Sequence, residues 1–131
     1  VRREVGAQVA AKAAGHATDE HRARLRELAA ELRDAGSGDA AQLVECEIHR
    51  VVAGATGNRV YGFLVNALLN AYLKVRERFV HAFADPAAAA DRIAPLIDAL
   101  CAGDPGKAHA AATQYFAETE AIMTAGPGRN R

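Results

Sequence analysis

The stretch VYGFLVNALLNAYL, residues 60–73, is the most apolar part of the chain and decides how the fold is interpreted. Its apolar residues fall on nearly every side of a helix, which is typical of a helix surrounded by other helices. It is too short to span a bilayer, and it contains two asparagines. Charged residues follow it at Lys74, Arg76, Glu77 and Arg78. We therefore predict one long helix over 59–83, with its first half buried and its second half facing solvent.

Glycine, proline and capping residues divide the rest of the chain into helical segments, and no segment alternates apolar and polar residues as a strand would. Besides the helix over 59–83, three helices are predicted over 2–14, 18–35 and 39–55. A further helix begins at Asp85-Pro86, and the last helix lies between the turns at 103–106 and 126–128. Pro95 removes a backbone hydrogen bond within the fifth helix and is expected to kink or divide it. The sequence thus predicts an all-α, antiparallel bundle of six or seven helices.

The composition indicates one globular domain, because half of the 131 residues are apolar and 16 basic residues balance 16 acidic ones. Zero net charge excludes a domain that coats a phosphate backbone, so the chain alone is not expected to bind DNA. Cys46 and Cys101 lack the spacing of a disulfide framework or a metal site, and 1–12 lacks the apolar region of a signal peptide. We expect a cytoplasmic protein without membrane contact, with a domain at 1–125 and a polar tail at 126–131.

Glu45 and His49 are four residues apart, so they would share one face of the third helix within reach of a common ion or ligand. A solvated or hydrogen-bonded pair has the same spacing, and the pattern leaves both interpretations open. The pair would also serve an enzyme as acid and base in a cavity. Because no nucleophile, cofactor motif or complete metal set accompanies it, we do not expect an enzyme.

Asn66 and Asn70 have the same spacing within the most apolar stretch, where a buried amide must find hydrogen-bond partners. Those partners are either a neighbouring helix or a polar ligand in a cavity between helices. Tyr115 lies on the apolar face of the last helix. We expect it to be a core aromatic residue whose hydroxyl finds one partner.

Four short motifs occur in a characteristic order: Ala17-Thr18-Asp19-Glu20, Glu45-x-x-Ile48-His49, Thr56-Gly57-Asn58, and an alanine-containing segment at 97–104 that ends in Gly-Asp. Together they resemble the FCD domain, the effector-binding domain of the FadR branch of GntR-type bacterial transcription regulators. The resemblance covers 2–123 and implies a helical bundle that binds a small molecule and forms homodimers. The winged-helix DNA-binding domain that precedes the FCD domain in such regulators is expected to be absent from this chain.

Members of this family often hold a divalent metal with one acidic residue and three histidines. The resemblance places these four positions at Glu45, His49, Ile93 and Tyr115. Isoleucine and tyrosine cannot replace a neutral imidazole as ordinary Zn or Ni ligands. We therefore expect no metal and no other cofactor, and a ligand pocket lined by these four residues together with the two asparagines.

The resemblance thus implies an effector-sensing and dimerisation domain whose ligand, an organic acid or a larger metabolite, controls a separate DNA-binding domain. Loss of the metal favours a ligand that is larger or less acidic than a small carboxylate. The alternative is a purely structural dimerisation module, which predicts a filled core. A cavity bounded by Glu45, Asn66, Asn70 and Tyr115 would favour sensing.

Overall fold

The computed structural model describes residues 2–126, and this part of the chain contains helices and no strands. Six α-helices and one 3-10 helix, here η1, follow in the order α1 (Arg2–His16), α2 (Asp19–Arg33), α3 (Gly38–Ala55), α4 (Arg59–Val75), η1 (Arg76–Phe83), α5 (Pro86–Ala102) and α6 (Pro105–Ala125). The predicted all-α bundle of six or seven helices is confirmed. The predicted polar tail, 126–131, lies outside the described residues except for Gly126.

Short polar side chains determine where the helices begin. The hydroxyls of Thr18 and Ser37 accept hydrogen bonds from backbone N–H groups in the first turns of α2 and α3. The carboxylates of Asp85 and Asp104 do the same for α5 and α6, where proline occupies the first turn. Gly103 ends α5 with a φ of 68°, a conformation that glycine adopts without strain. Because these signals are local, the boundaries predicted for α1, α2, α3, α5 and α6 lie close to the observed ones.

The core lies where α1, α5 and α6 meet α2 and α3. α1 packs mainly against α6, whereas α2 packs against α5 and α3. α1 contributes mostly alanines to the core, and such small side chains suit a close contact between helices. The larger core side chains come from α2, α3, η1, α5 and α6: Leu25, Leu28, Leu32, Ile48, Phe83, Ile93, Leu100 and Tyr115. Within the described chain, α4 packs mainly against α3 and η1.

The prediction that the first half of α4 is buried among other helices is wrong. Val60 is 69% exposed and Phe63 is 75% exposed, while Leu64 and Leu68 are 40% and 41% exposed. The opposite face, around Leu69, packs onto the bundle. The helix is apolar on both sides, but the described chain supplies neighbouring helices on one side only.

The prediction of one continuous helix over 59–83 is also wrong. The chain leaves α-helical geometry at Val75, whose φ of −122° and ψ of 12° precede the turns of η1. Gln42 of α3 donates a hydrogen bond from Nε2 to the Arg76 carbonyl oxygen at 2.8 Å, and Arg76 Nε donates to Asp39 Oδ1 at 2.8 Å. These bonds hold the chain against α3. They account for a break where the sequence has neither proline nor glycine.

Pro95 does not divide α5, which runs without interruption over Pro86–Ala102. Both Pro95 and Asp91 are exposed. Because proline has no N–H for the Asp91 carbonyl, this hydrogen bond is missing on an exposed side of the helix, where its loss does not break the helix. None of the helices within residues 2–126 combines the length and apolarity required to cross a membrane.

Candidate functional site

A cavity of about 100 Å³ lies between α1, α3, α4 and α6, and Leu96 of α5 also lines it. Its walls are mostly apolar and include Val5 and Val9 of α1, Val52 of α3, Leu69 of α4 and Phe116 of α6. A group of polar side chains comes from α3 and α6, namely Glu45, His49, Tyr115 and Thr119. An apolar cavity with a few convergent polar groups is the usual form of a small-molecule site.

Glu45 is the centre of a polar cluster at one wall of the cavity. Its Oε2 accepts a hydrogen bond from the Tyr115 hydroxyl at 2.7 Å and lies 2.6 Å from Nε2 of His49. Glu45 is 7% exposed and Tyr115 is 1% exposed. A buried carboxylate is costly unless hydrogen bonds stabilise it, and these two contacts supply part of that stabilisation. The cluster thereby joins α3 to α6.

Burial raises the pKa of Tyr115 well above its usual value of 10.0, and the charge of Glu45 raises it further. The phenol therefore stays protonated at neutral pH and donates its hydrogen bond to the carboxylate. The Thr119 hydroxyl lowers the pKa of Tyr115, but its effect is smaller than those of burial and of Glu45. It is buried and makes no hydrogen bond of ordinary geometry. A buried hydroxyl without a hydrogen-bond partner at a cavity wall can bind a ligand that hydrogen-bonds to it.

The aromatic ring of Phe116 connects the polar cluster to the first helix. The His49 imidazole stacks on this ring, with the two centroids 5.4 Å apart and the planes inclined by 24°. The ring also lies against α1 at Gly6, where a Cβ would come within 2.8 Å of the ring carbons Cδ2 and Cζ. Glycine at this position therefore allows the ring to pack between His49 and α1.

The structure brings three of the six predicted site residues together: Glu45, His49 and Tyr115. The Glu45–His49 pair is hydrogen-bonded, and both residues also line the cavity. Tyr115 is a core aromatic residue with a hydrogen-bonded hydroxyl, as predicted. Ile93 is fully buried in the core of the bundle but is not among the residues that line the cavity.

Asn66 and Asn70 do not line the cavity. Both residues are exposed on α4, so the expectation that their amides are buried is wrong. The reason is the one-sided packing of α4, because the described chain supplies neighbouring helices on one side of this helix only. The cavity is therefore lined by Glu45 and Tyr115, but not by the two asparagines that were expected to bound it.

The residues around Glu45 do not fit a divalent metal of the kind that related domains hold. Among residues 2–126, no three His, Cys, Asp or Glu side chains are grouped as a metal site requires. Ile93 has no donor atom. The protonated Tyr115 hydroxyl donates to Glu45 Oε2, an oxygen that a metal at this position would need.

Sequence reasoning missed two side chains near the site. Gln42 is fully buried three residues before Glu45, and its Nε2 donates to the Tyr72 hydroxyl at 2.7 Å. Its three-residue spacing from Glu45 could have indicated that it lies near the site, because residues three apart share a helix face. Phe116 offered no comparable signal, since its close partner, Gly6, is far away in the sequence.

The family model of the FCD domain matches residues 1–118 of the chain. A search of curated proteins found no match. Because the family match covers most of the chain, the protein belongs to the FCD family, as the resemblance predicted. FCD domains are effector-binding domains of transcription regulators, and their role is regulatory and not enzymatic.

Proposed function

We propose that this domain senses a small organic molecule in the cavity between α1, α3, α4 and α6 and controls the DNA-binding domain of a GntR-type regulator. One observation carries the proposal: a buried, hydrogen-bonded carboxylate, Glu45, lies in the wall of an otherwise mostly apolar cavity. Protein interiors are closely packed, and a buried charge is often no more stable than an apolar replacement. A module with a purely structural role would therefore be expected to have a filled, apolar core at this place.

The walls of the cavity indicate the class of ligand. Aliphatic side chains and Phe116 offer apolar contacts, whereas the polar groups of α3 and α6 lie together. The ligand is thus an organic molecule with an apolar body and a polar end that hydrogen-bonds near Thr119. Without a metal to bind it, the ligand is larger or less acidic than a small carboxylate. Larger organic acids and neutral metabolites both belong to this class.

α1 is the element through which binding reaches the rest of the regulator. Val5, Gly6 and Val9 line the cavity, and α1 packs along α6. In regulators of this family the DNA-binding domain precedes this helix. A ligand that binds one packing of α1 more tightly shifts the population toward that packing. The domain acts as a homodimer, so that two DNA-binding domains meet two operator half-sites.

A thermal-shift experiment on the purified chain tests the proposal. The panel contains organic acids, acyl thioesters and sugars, each with and without Zn²⁺ or Ni²⁺. A compound present at about one hundred times its Kd stabilises the folded state by about 2.7 kcal/mol. Stabilisation by an organic compound in the absence of metal supports the proposal, whereas strong stabilisation by Zn²⁺ or Ni²⁺ alone contradicts it.

Two variants locate the bound compound in the cavity. Val52→Phe fills the cavity from α3, and we expect it to abolish the stabilisation. Leu43→Phe is the matched control, because Leu43 lies on the same helix, is 44% exposed and does not line the cavity. Circular dichroism verifies that both variants fold. Equal binding by the two folded variants would contradict a site in this cavity.

A further inference from the structure

The exposed side of α4 carries a continuous apolar stripe. We call it the α4 stripe, and it consists of Val60, Phe63, Leu64, Ala67, Leu68 and Ala71. All of these residues are exposed, and no charged residue occurs anywhere in 60–73. A helix that is apolar all round is normally covered on both sides. The described chain covers the opposite face of α4, chiefly with α3, and of the stripe residues only Leu68 also lines the cavity.

We propose that a second copy of this chain covers the α4 stripe with its own α4 stripe, the two helices running antiparallel about a two-fold axis. This inference locates the self-association that the proposed function includes, but it does not depend on ligand binding. A two-fold interface requires a surface that is complementary to itself. The α4 stripe meets this requirement through its spacing.

The spacing of the α4 stripe is the same in both directions along the helix, with steps of 3, 1, 3, 1 and 3 residues. A two-fold axis that passes between positions 65 and 66 therefore places each residue of the stripe opposite another. The opposed pairs are Val60 with Ala71, Phe63 with Leu68, and Leu64 with Ala67. Two of the three pairs combine a larger side chain with an alanine, which allows the two helices to pack closely.

The area of the α4 stripe is sufficient for a specific dimer. Val60 and Phe63 are 69% and 75% exposed, and Leu64 and Leu68 are 40% and 41% exposed. With the two alanines, these side chains offer roughly 500 Å² of apolar surface on each copy. The pair would bury about 1,000 Å², which is the lower limit for a stable interface. A patch of this size is unusual on a monomer unless it has a binding role.

Charge also favours a second copy over an acidic or basic partner. Partners recognised by charge require complementary charges in the surface, and the α4 stripe contains none. The flanking charges are Arg59 and Lys74. In the antiparallel pair, Arg59 of one copy lies near Lys74 of the other. Because salt screens this repulsion at the rim, association should tighten as ionic strength rises.

Light scattering coupled to gel filtration tests the interface on the full chain. We expect the wild type to show twice its chain mass of 13.8 kDa at high protein concentration. Phe63→Glu should weaken association by at least about tenfold, because it places a charge in the apolar contact. Asn66→Glu is the matched control, since Asn66 is exposed on the same helix outside the stripe. A monomeric wild type, or equal effects of the two variants, would overturn the inference.

A charge pair tests the register of the two helices. Val60→Glu alone should weaken the dimer, and adding Ala71→Lys should restore it by an ion pair between copies. Within one helix these positions are eleven residues, or about 16 Å, apart, so the pair cannot form within a chain. Val60→Glu with Asn66→Lys is the control and should stay dissociated. Failure of Ala71→Lys to restore the dimer, or equal restoration by the control, would overturn the register.

The outcomes for the dimer and for ligand sensing can be distinguished. Phe63 does not line the cavity, so the thermal-shift panel can also be applied to Phe63→Glu. A monomeric wild type that still binds an organic compound overturns the interface alone. If Phe63→Glu dissociates the dimer, the interface is supported. If the same protein is stabilised only by Zn²⁺ or Ni²⁺ in the thermal-shift panel, the sensing proposal is contradicted.

Discussion

The Tyr115 hydroxyl donates a hydrogen bond to Oε2 of Glu45 at 2.7 Å and thereby joins the last helix to the third. Both residues are buried, so neither can readily exchange this bond for one to water. A hydrogen bond to a charged group contributes about 1.5–3 kcal/mol, more than one between neutral groups. The bond therefore stabilises the fold and also fixes the polar wall of the cavity.

Removing this bond should destabilise the protein. We expect Tyr115→Phe to lower the free energy of unfolding by about 1.5–3 kcal/mol, because Glu45 then loses a donor in a buried position. Urea denaturation followed by circular dichroism measures the change. Tyr61→Phe is the control, since Tyr61 lies outside this cavity and is only partly buried, and its effect should stay within about 0.5 kcal/mol. Similar losses in the two variants would contradict a special role for the Tyr115 hydroxyl.

The contact between Gly6 and Phe116 makes a second prediction. A Cβ at Gly6 would overlap the Phe116 ring, so Gly6→Ala should destabilise the protein by about 1–3 kcal/mol despite the better helix propensity of alanine. Gly54→Ala on α3 is the matched control, because no atom lies within 4 Å of its new Cβ. That substitution should stabilise the protein by up to about 1 kcal/mol. Thermal and urea unfolding measure both changes.

A double variant separates the overlap at Gly6 from other effects of the substitution. Phe116→Leu removes the ring, so the cost of Gly6→Ala should be smaller in the Phe116→Leu background than in the wild type. A coupling of at least about 0.5 kcal/mol between the two substitutions is expected for residues in contact. Strict additivity would show that the cost arises elsewhere than at the ring.

The helices and their order could be predicted from the sequence, because their signals are local. Thr18, Ser37 and Gly103 act on the neighbouring backbone, and each ends or begins a helix where the pattern indicates. The burial of α4 could not be predicted in this way. Hydrophobic periodicity shows that a face is apolar, but not whether the same chain covers it. The error at Asn66 and Asn70 followed directly from the error about the helix.

The candidate site was predictable only in part, because its contacts join distant parts of the chain. The four-residue spacing indicated that Glu45 and His49 share a face, but spacing left their role open. The link to Tyr115 came from the family resemblance, since no periodicity relates residues on α3 and α6. The break at Val75 depends on Gln42, whose bond to the Arg76 carbonyl is a tertiary contact. Such contacts leave no signature in the local sequence.

Pro95 gives a third prediction, because α5 remains a single helix around it. Pro95→Ala supplies an N–H for the Asp91 carbonyl and removes the steric conflict of the ring, so it should stabilise the protein by about 1–3 kcal/mol. Pro86→Ala is the control, since proline at the first helical turn costs no hydrogen bond. Its effect on urea unfolding should stay within about 0.5 kcal/mol. Destabilisation by Pro95→Ala would mean that the bundle requires proline geometry at this position.

The two cysteines should differ in reactivity toward a thiol reagent in the native protein. Burial raises the pKa of Cys46 to about 12, with a smaller effect from Glu45, and the residue is 1% exposed. Burial also raises the pKa of Cys101, but this residue is only partly buried. Because the thiolate is the reactive form, Cys101 should react in the folded state, and faster as pH rises, whereas Cys46 should react only after unfolding. Native Cys46→Ser should therefore label like the wild type, and native Cys101→Ser should not label until urea is added. Rapid labelling of folded Cys101→Ser would contradict the closed packing of α3 around Cys46.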